Sequence, residues 1–231
     1  AVTPKTAAVI INSPNNPSGA VYGESLIHEL GEILRKKSFE TGRTIYLISD
    51  EPYRKIVFDG IQVPSIMEAY SNSIIVTSYS KDISIPGERI GYIAVHPEAQ
   101  DCRNIIDGAV LCTRILGFVN APAFMQRVIA GLQGEQIDSE IYRRKRDLLC
   151  DGLADCGYEF VKPKGTFYLM PKAPGGDDTA FVAALQRERI LAVPGRGFGL
   201  PGYFRLSFCV KDETITGSIP GFSRAFNRVH Q

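Results

Sequence analysis

The 231-residue sequence predicts an α/β fold: a mostly parallel sheet covered by helices, joined to a smaller α+β region. Three observations carry this. Short apolar runs rich in β-branched residues stand at "AAVIIN" (7–12), "TIYLIS" (44–49) and "SIIVTSY" (73–79). A helical pattern separates the first two, and strand–helix–strand order favours parallel pairing because the crossover returns the chain in the same direction. After Gly157 the spacing changes to short strands around single helices, which marks a second, smaller unit.

Taken in order, "AAVIIN" is a continuous apolar run, the pattern of a strand buried on both faces. "SPNNPSG" (13–19) is dense in turn formers. Residues 23–39 form a helix with the stripe Leu26, Ile27, Leu30, Ile33 and Leu34, and Arg35, Lys36 and Lys37 in its last turn suit the negative dipole end. "RIGYIAV" (89–95) is a fourth strand. The link from 79 to 89 is too short for a crossover helix, so this strand pairs antiparallel with the third. Residues 97–157 read helical with a break at "GFVNAPA" (117–123). Ile137, Ile141, Leu148 and Leu149 mark a long helix leading out of the first region. Beyond it, "YEFV", "GTFYLMP" and "YFRLSF" read as strands around a helix from 178 to 188, with Asp178 as N-cap. A last helix starts at Asp212 with Ile215, Ile219, Phe222 and Phe226 inward, and Pro220-Gly221 interrupts it.

Basic and acidic residues balance at 26 and 25, so there is no electrostatic case for nucleic acid or an anionic membrane surface. "RRKR" (143–146) reads as the solvated face of a helix. The five cysteines, Cys102, Cys112, Cys150, Cys156 and Cys209, are odd in number and form no CxxC, the pattern of reduced thiols in a cytoplasmic compartment. His28, His96 and His230 are far apart and lack metal-ligand spacing, so no metal is expected. No apolar run approaches the roughly 18 residues of a membrane span. The opening "AVTPKTAAVIINSP" lacks a methionine and runs almost directly into a strand, which predicts a sequence that begins inside a larger protein.

In open α/β sheets, ligands sit beyond the carboxyl ends of the parallel strands. Asn15 and Asn16 follow the first strand, Asp50 and Tyr53 the second, and Ser78, Ser80 and Lys81 the third. Ser78, Ser80 and Arg89 suit a phosphate, by hydroxyl donors and a charged fork. Asp50, ending an apolar strand, needs a cationic partner, and Lys81 suits a nucleophilic amine. A phosphate ester, a protonatable ring nitrogen and an aldehyde occur together in pyridoxal 5'-phosphate, whose aldehyde forms a Schiff base with a lysine. An arginine inside the apolar run "YFRLSF", Arg205, likewise needs a carboxylate.

"NNPSG" (15–19), "SDEPY" (49–53), "SYSK" (78–81) with Arg89, and "FRLSF" (204–208) resemble the class I/II aminotransferases, which are fold-type I pyridoxal-phosphate enzymes, over essentially the whole chain. The resemblance implies that Lys81 is the Schiff-base lysine and proton carrier, and that Asp50 pairs with the pyridinium. Asn16 and Tyr53 would hydrogen-bond the phenolic oxygen of the ring. Ser78, Ser80 and Arg89 would hold the phosphate, and Arg205 the substrate α-carboxylate. It further implies that 1–137 is the C-terminal part of the large cofactor-binding domain and 138–231 the small C-terminal domain. Family members are longer. The N-terminal portion that is missing supplies a ring-stacking aromatic residue and a phosphate loop, and the active site borrows residues from the second subunit of a homodimer. The implied substrates are an amino acid and a 2-oxo acid. A lyase or decarboxylase on the same scaffold, or a catalytically inert fragment, are the alternative readings.

Other patterns weigh less. "LISDE" is like a Walker B strand, but no G-x-x-x-x-G-K-[ST] accompanies it. "GFGLPG" (197–202) matches G-x-G-x-x-G but precedes a strand rather than opening a helix, and reads as a turn that lets backbone pass close to a substrate. Glu88 stands before Arg89 where many relatives of the resembled family have an apolar or aromatic residue, and reads as a surface group.

Overall fold

The computed structural model describes residues 2–229; His230 lies outside them. The chain forms two compact units. The first takes the residues up to Pro14, then Val21–Lys55 and Gln62–Ile137; the second takes Asn15–Ala20, Ile56–Ile61 and the chain from Asp138 onward. The two short segments differ from the sequence reading, and backbone hydrogen bonds explain the difference. Lys164 N and Gly165 N both donate to Gly19 O, Thr166 N donates to Ile56 O, and Phe58 N to Lys164 O.

The first unit runs β1 (Ala8–Asn12), α1 (Glu24–Thr41), β2 (Tyr46–Asp50), the single turn α2 (Ile66–Ala69), β3 (Ser73–Ser78), the single turn α3 (Tyr79–Asp82), β4 (Gly91–Val95), α4 (Cys102–Ile115) and α5 (Ala123–Gly131). Its sheet has the order β1-β2-β3-β4, parallel for the first three strands and antiparallel between β3 and β4, as the short link demands. Ile27 and Leu34 of α1 pack with Ile45, Leu47, Ile66, Ala69 and Tyr70 on one face. That is narrower than the predicted stripe: Leu26 and Ile33 are exposed, because Gly31 rather than Ile33 sits against the backbone of Ala69. The helix also runs on to Thr41, so Arg35–Lys37 lie before its last turn. β1 is an edge strand with Ile10 exposed, not a strand buried on both faces. α4 carries no buried residue.

The second unit runs α6 (Ser139–Asp155), β5 (Tyr168–Leu169), α7 (Asp178–Arg187), β6 (Val193–Pro194), β7 (Phe204–Ser207) and α8 (Asp212–Val229). β7 is central and antiparallel to both neighbours. Around Tyr158 stand the rings of Phe181, Phe204, Phe222 and Phe226, 5.0–6.1 Å away by centroid, and the Tyr158 hydroxyl donates to Phe222 O. "YEFV" therefore supplies a core residue rather than a strand, and Val161 is exposed. α6 begins after Asp138, whose side chain accepts from Glu140 N, so Ile137 precedes it. α8 runs through Pro220, because Ile215, Phe222 and Ala225 bury one face and outweigh the lost backbone bond.

Two charged residues depart from expectation. Arg146 of "RRKR" is fully buried, where Nη1 and Nη2 donate to Asp59 at 2.6 and 3.0 Å and Asp147 lies at 2.8 Å. The N-cap of α7 is Asp177, which accepts from Thr179 N and Ala180 N; Asp178 is fully buried and serves another purpose. The cysteines are free thiols, and burial pushes the Cys150 thiol up to about 12. No helix among the described residues is long and apolar enough to cross a membrane.

Candidate active site

In the first unit, strand register gathers the predicted groups at one edge. Asn12 pairs with Asp50, Asp50 with Val76, and Ser78 with Gly91. The carboxyl ends of β1, β2 and β3 thus align, with adjacent strands ~4.8 Å apart, and the segment entering β4 arrives at the same edge. β3 stops at Ser78 because the chain turns into α3, which holds Ser80 and Lys81, both half-buried. Asp82 pins that turn. Its carboxylate accepts from Ile83 N and lies 3.7 Å from Lys55 Nζ, and its backbone oxygen accepts from Ile137 N. A short 3₁₀ turn from Pro86 then delivers Arg89 in the left-handed region, where its Nη1 donates to Pro86 O at 2.7 Å. Gly91 must follow: a Cβ there would lie 2.3 Å from Thr77 O, so only glycine lets β4 approach the end of β3. Arg89 borders a groove of 660 Å³ along β3 and β4 that Thr77, Tyr92 and Phe118 also line.

Asp50 is exposed rather than buried, because it is the last residue of β2 and its side chain leaves the sheet. The surrounding chain still displaces enough water to raise its carboxyl pKa. Asn12, which sequence reasoning missed, donates through Nδ2 to Asp50 O at 2.8 Å and to Oδ2 at 3.3 Å. Its signal was a polar residue ending the strand beside Asp50's. Tyr53 is buried.

The second unit holds Asn16 and Arg205. Phe204, Leu206 and Phe208 of the β7 run are buried, and the period-2 alternation turns Arg205 to the other face. Asn15 accepts from Ser18 N and Ser18 Oγ and builds the local turn, which leaves Asn16 exposed. Arg205 Nη1 donates to Asn16 Oδ1 at 3.0 Å, and its guanidinium carbon lies 4.5 Å from the Tyr168 ring centroid and 4.6 Å from that of Phe198. These partners are neutral, so the carboxylate that the sequence calls for does not come from them.

One unit therefore offers an amine, an acid and anion donors at a sheet edge, and the other a half-buried arginine among neutral groups. This is an α/β protein. Residues 1–218 match the family model "Aminotransferase class I and II", and the chain belongs to that family. It is 30% identical over 234 residues to the aspartate/prephenate aminotransferase of Thermus thermophilus, covering 99% of this chain and 58% of the relative. It is 32% identical over 249 residues to the aspartate aminotransferase of Geobacillus stearothermophilus, covering 100% and 58%. Its fold matches a crystal structure of an aminotransferase from Eubacterium rectale with a TM-score of 0.96 and 44% identity, covering 100% of this chain and 58% of that one. It also matches aspartate aminotransferase from Thermus thermophilus with maleate, with a TM-score of 0.79 and 27% identity, covering 97% and 58%. The chain thus spans little more than half the length of these relatives.

Proposed function

We propose that this chain is part of a pyridoxal 5'-phosphate-dependent aminotransferase, a cytoplasmic homodimer that moves the amino group of an amino acid to a 2-oxo acid. When bound, pyridoxal phosphate supplies an aldehyde that captures amino groups and a ring that accepts electron density. Lys81 holds the cofactor through its amine and carries a proton at Nζ to and from the substrate Cα. Asp50, partly desolvated and oriented by Asn12, keeps the ring nitrogen protonated. The hydroxyls of Ser78 and Ser80 and the Arg89 guanidinium hold the phosphate. Asn16 and Tyr53 hydrogen-bond the phenolic oxygen. Arg205 takes the substrate α-carboxylate in a bidentate pair. Residues 1–137 act as the C-terminal part of the large cofactor-binding domain and 138–231 as the small domain.

The observation that carries this reading is the register that puts Asp50 and Ser78, followed by the turn of Lys81, at one sheet edge with the entry to β4. The test supplies cofactor, an amino acid and a 2-oxo acid. The reading predicts the 2-oxo acid of the donor as product, and Arg205→Ala raising KM for the amino acid far more than it weakens cofactor binding. Ammonia or carbon dioxide as product would replace transfer with elimination or decarboxylation.

A further inference from the structure

Asp178 raises a question that the proposed chemistry does not answer. A fully buried carboxylate is costly unless paired. It does not cap α7, because Asp177 does. Three of its bonds come instead from one residue of the Gly195–Phe198 turn: Arg196 N donates to Oδ2 at 2.8 Å, and Nε and Nη2 to Oδ1 at 3.0 and 2.7 Å, while the Gly202 backbone N–H also donates to the carboxylate. The turn is closed at its other end by Gly195, whose N donates to Tyr203 O at 2.7 Å and where a Cβ would lie 2.3 Å from Leu200 O. Two residues beyond Arg196 in this clamped turn, at Phe198, a ring face meets the Arg205 guanidinium, and Tyr168 of β5 presents a second.

We propose that the pair formed by buried Asp178 and exposed Arg196 is a positioning device for carboxylate recognition: it fixes the Gly195–Phe198 turn so that Phe198, with Tyr168, holds the Arg205 guanidinium in one orientation before the ligand arrives. The inference rests on the reading of Arg205 as the carboxylate-binding group. Its physical basis is preorganisation. A free arginine loses considerable rotamer freedom when it binds, and one already stacked and hydrogen-bonded through Nη1 to Asn16 has lost that freedom in advance. A guanidinium is weakly hydrated and stacks on rings without giving up in-plane N–H donors, so a carboxylate approaches along the remaining edge of the fork. Asp178, Arg196 and Phe198 act through Arg205 and are positioning residues.

The test titrates the 231-residue chain with maleate and follows the Arg205 side-chain N–H signals by NMR. Arg205→Ala abolishes saturable binding. Phe198→Ala weakens Kd by about tenfold, as expected for loss of a cation–π contact, and Phe198→Tyr restores it where Phe198→Leu does not. Asp178→Asn and Arg196→Ala weaken Kd by about three- to tenfold and remove the ring-current shift of the Arg205 signals. A purely structural role would lower the melting temperature and leave Kd and the ring-current shift unchanged. Unchanged Kd in folded Phe198→Ala and Arg196→Ala, with Arg205→Ala still inactive in binding, overturns this inference and leaves the Arg205 reading standing. Unchanged binding in Arg205→Ala, or no saturable binding by the unsubstituted chain, overturns both.

Discussion

In the second unit Tyr158 is ringed by four phenylalanines, whereas in the first α4 buries nothing and Ile10, Ile115, Phe118 and Phe124 are each more than 70% exposed. The carboxylates divide in the same way. Asp178 of the second unit is closed inside a forked pair with Arg196, which holds its carboxyl far below the usual carboxylate range. Asp50 of the first unit stands at an open edge with an amide beside it, and desolvation raises its carboxyl pKa. The first unit leaves more of its large apolar side chains at the surface, although Ile27, Leu34, Ile45 and Leu47 form a buried cluster within it, and the second also exposes Val161 and Leu191. Exposed apolar surface of that extent suits contact rather than water.

On the proposed reading Lys81→Ala should have the largest effect, cutting turnover of the assembled enzyme by about 10²–10⁴-fold or more, since it would remove both the cofactor's attachment and the proton carrier. An urea melt of the variant should match the parent, because the single turn α3 contributes no buried residue. Phe204→Ala, in the closed aromatic core, should cost about 3–5 kcal/mol in the same melt, while Ile115→Ser on exposed α4 should stay within about 0.5 kcal/mol. Equal costs would erase the contrast between the units. An environment-sensitive hydrophobic dye should bind the parent and bind Phe118→Ser more weakly; unchanged binding would place the sticky surface elsewhere.

The two aspartates sharpen the comparison through pH. The folded pKa of Asp178 lies below its unfolded value of about 3.9, so its stabilisation is complete above that pH and is lost as pH falls through the folded pKa. Hydrogen exchange in α7 and β7 should therefore quicken below about pH 4, and Asp178→Asn should flatten that acid limb while costing stability at neutral pH. Asp50 runs the other way. With a raised folded pKa its charged form is the less favoured one in the fold, so stability declines as pH rises through the unfolded and then the folded pKa. Asp50→Asn should thus leave neutral-pH stability unchanged or slightly higher, the smallest effect of the set, read in the same exchange experiment on β2.

Lys81, Asp50, Arg89 and Arg205 stand out as candidates because local patterns draw attention to them: strand ends carry polar groups, and a charge inside an apolar run demands a reason. The antiparallel β4 followed from loop length alone. Long-range pairing hid the rest. Asp177 and Asp178 are equivalent as caps in sequence, and their difference shows only in long-range bonds: Arg196, eighteen residues beyond Asp178, donates to Asp178 through N, Nε and Nη2 and to Asp177 through Nη2 alone. "RRKR" looks uniformly solvated until Asp59, 87 residues away, takes Arg146 inside. "AAVIIN" is apolar enough for a central strand, and β1 stands first in the order of the described strands with Ile10 exposed.

The most direct test of the account is reductive trapping. The chain is mixed with pyridoxal phosphate, treated with borohydride, digested and mapped. The account predicts one modified peptide, the one carrying Lys81, and its disappearance in Lys81→Ala. A label spread over surface lysines, and unchanged by that substitution, would contradict it.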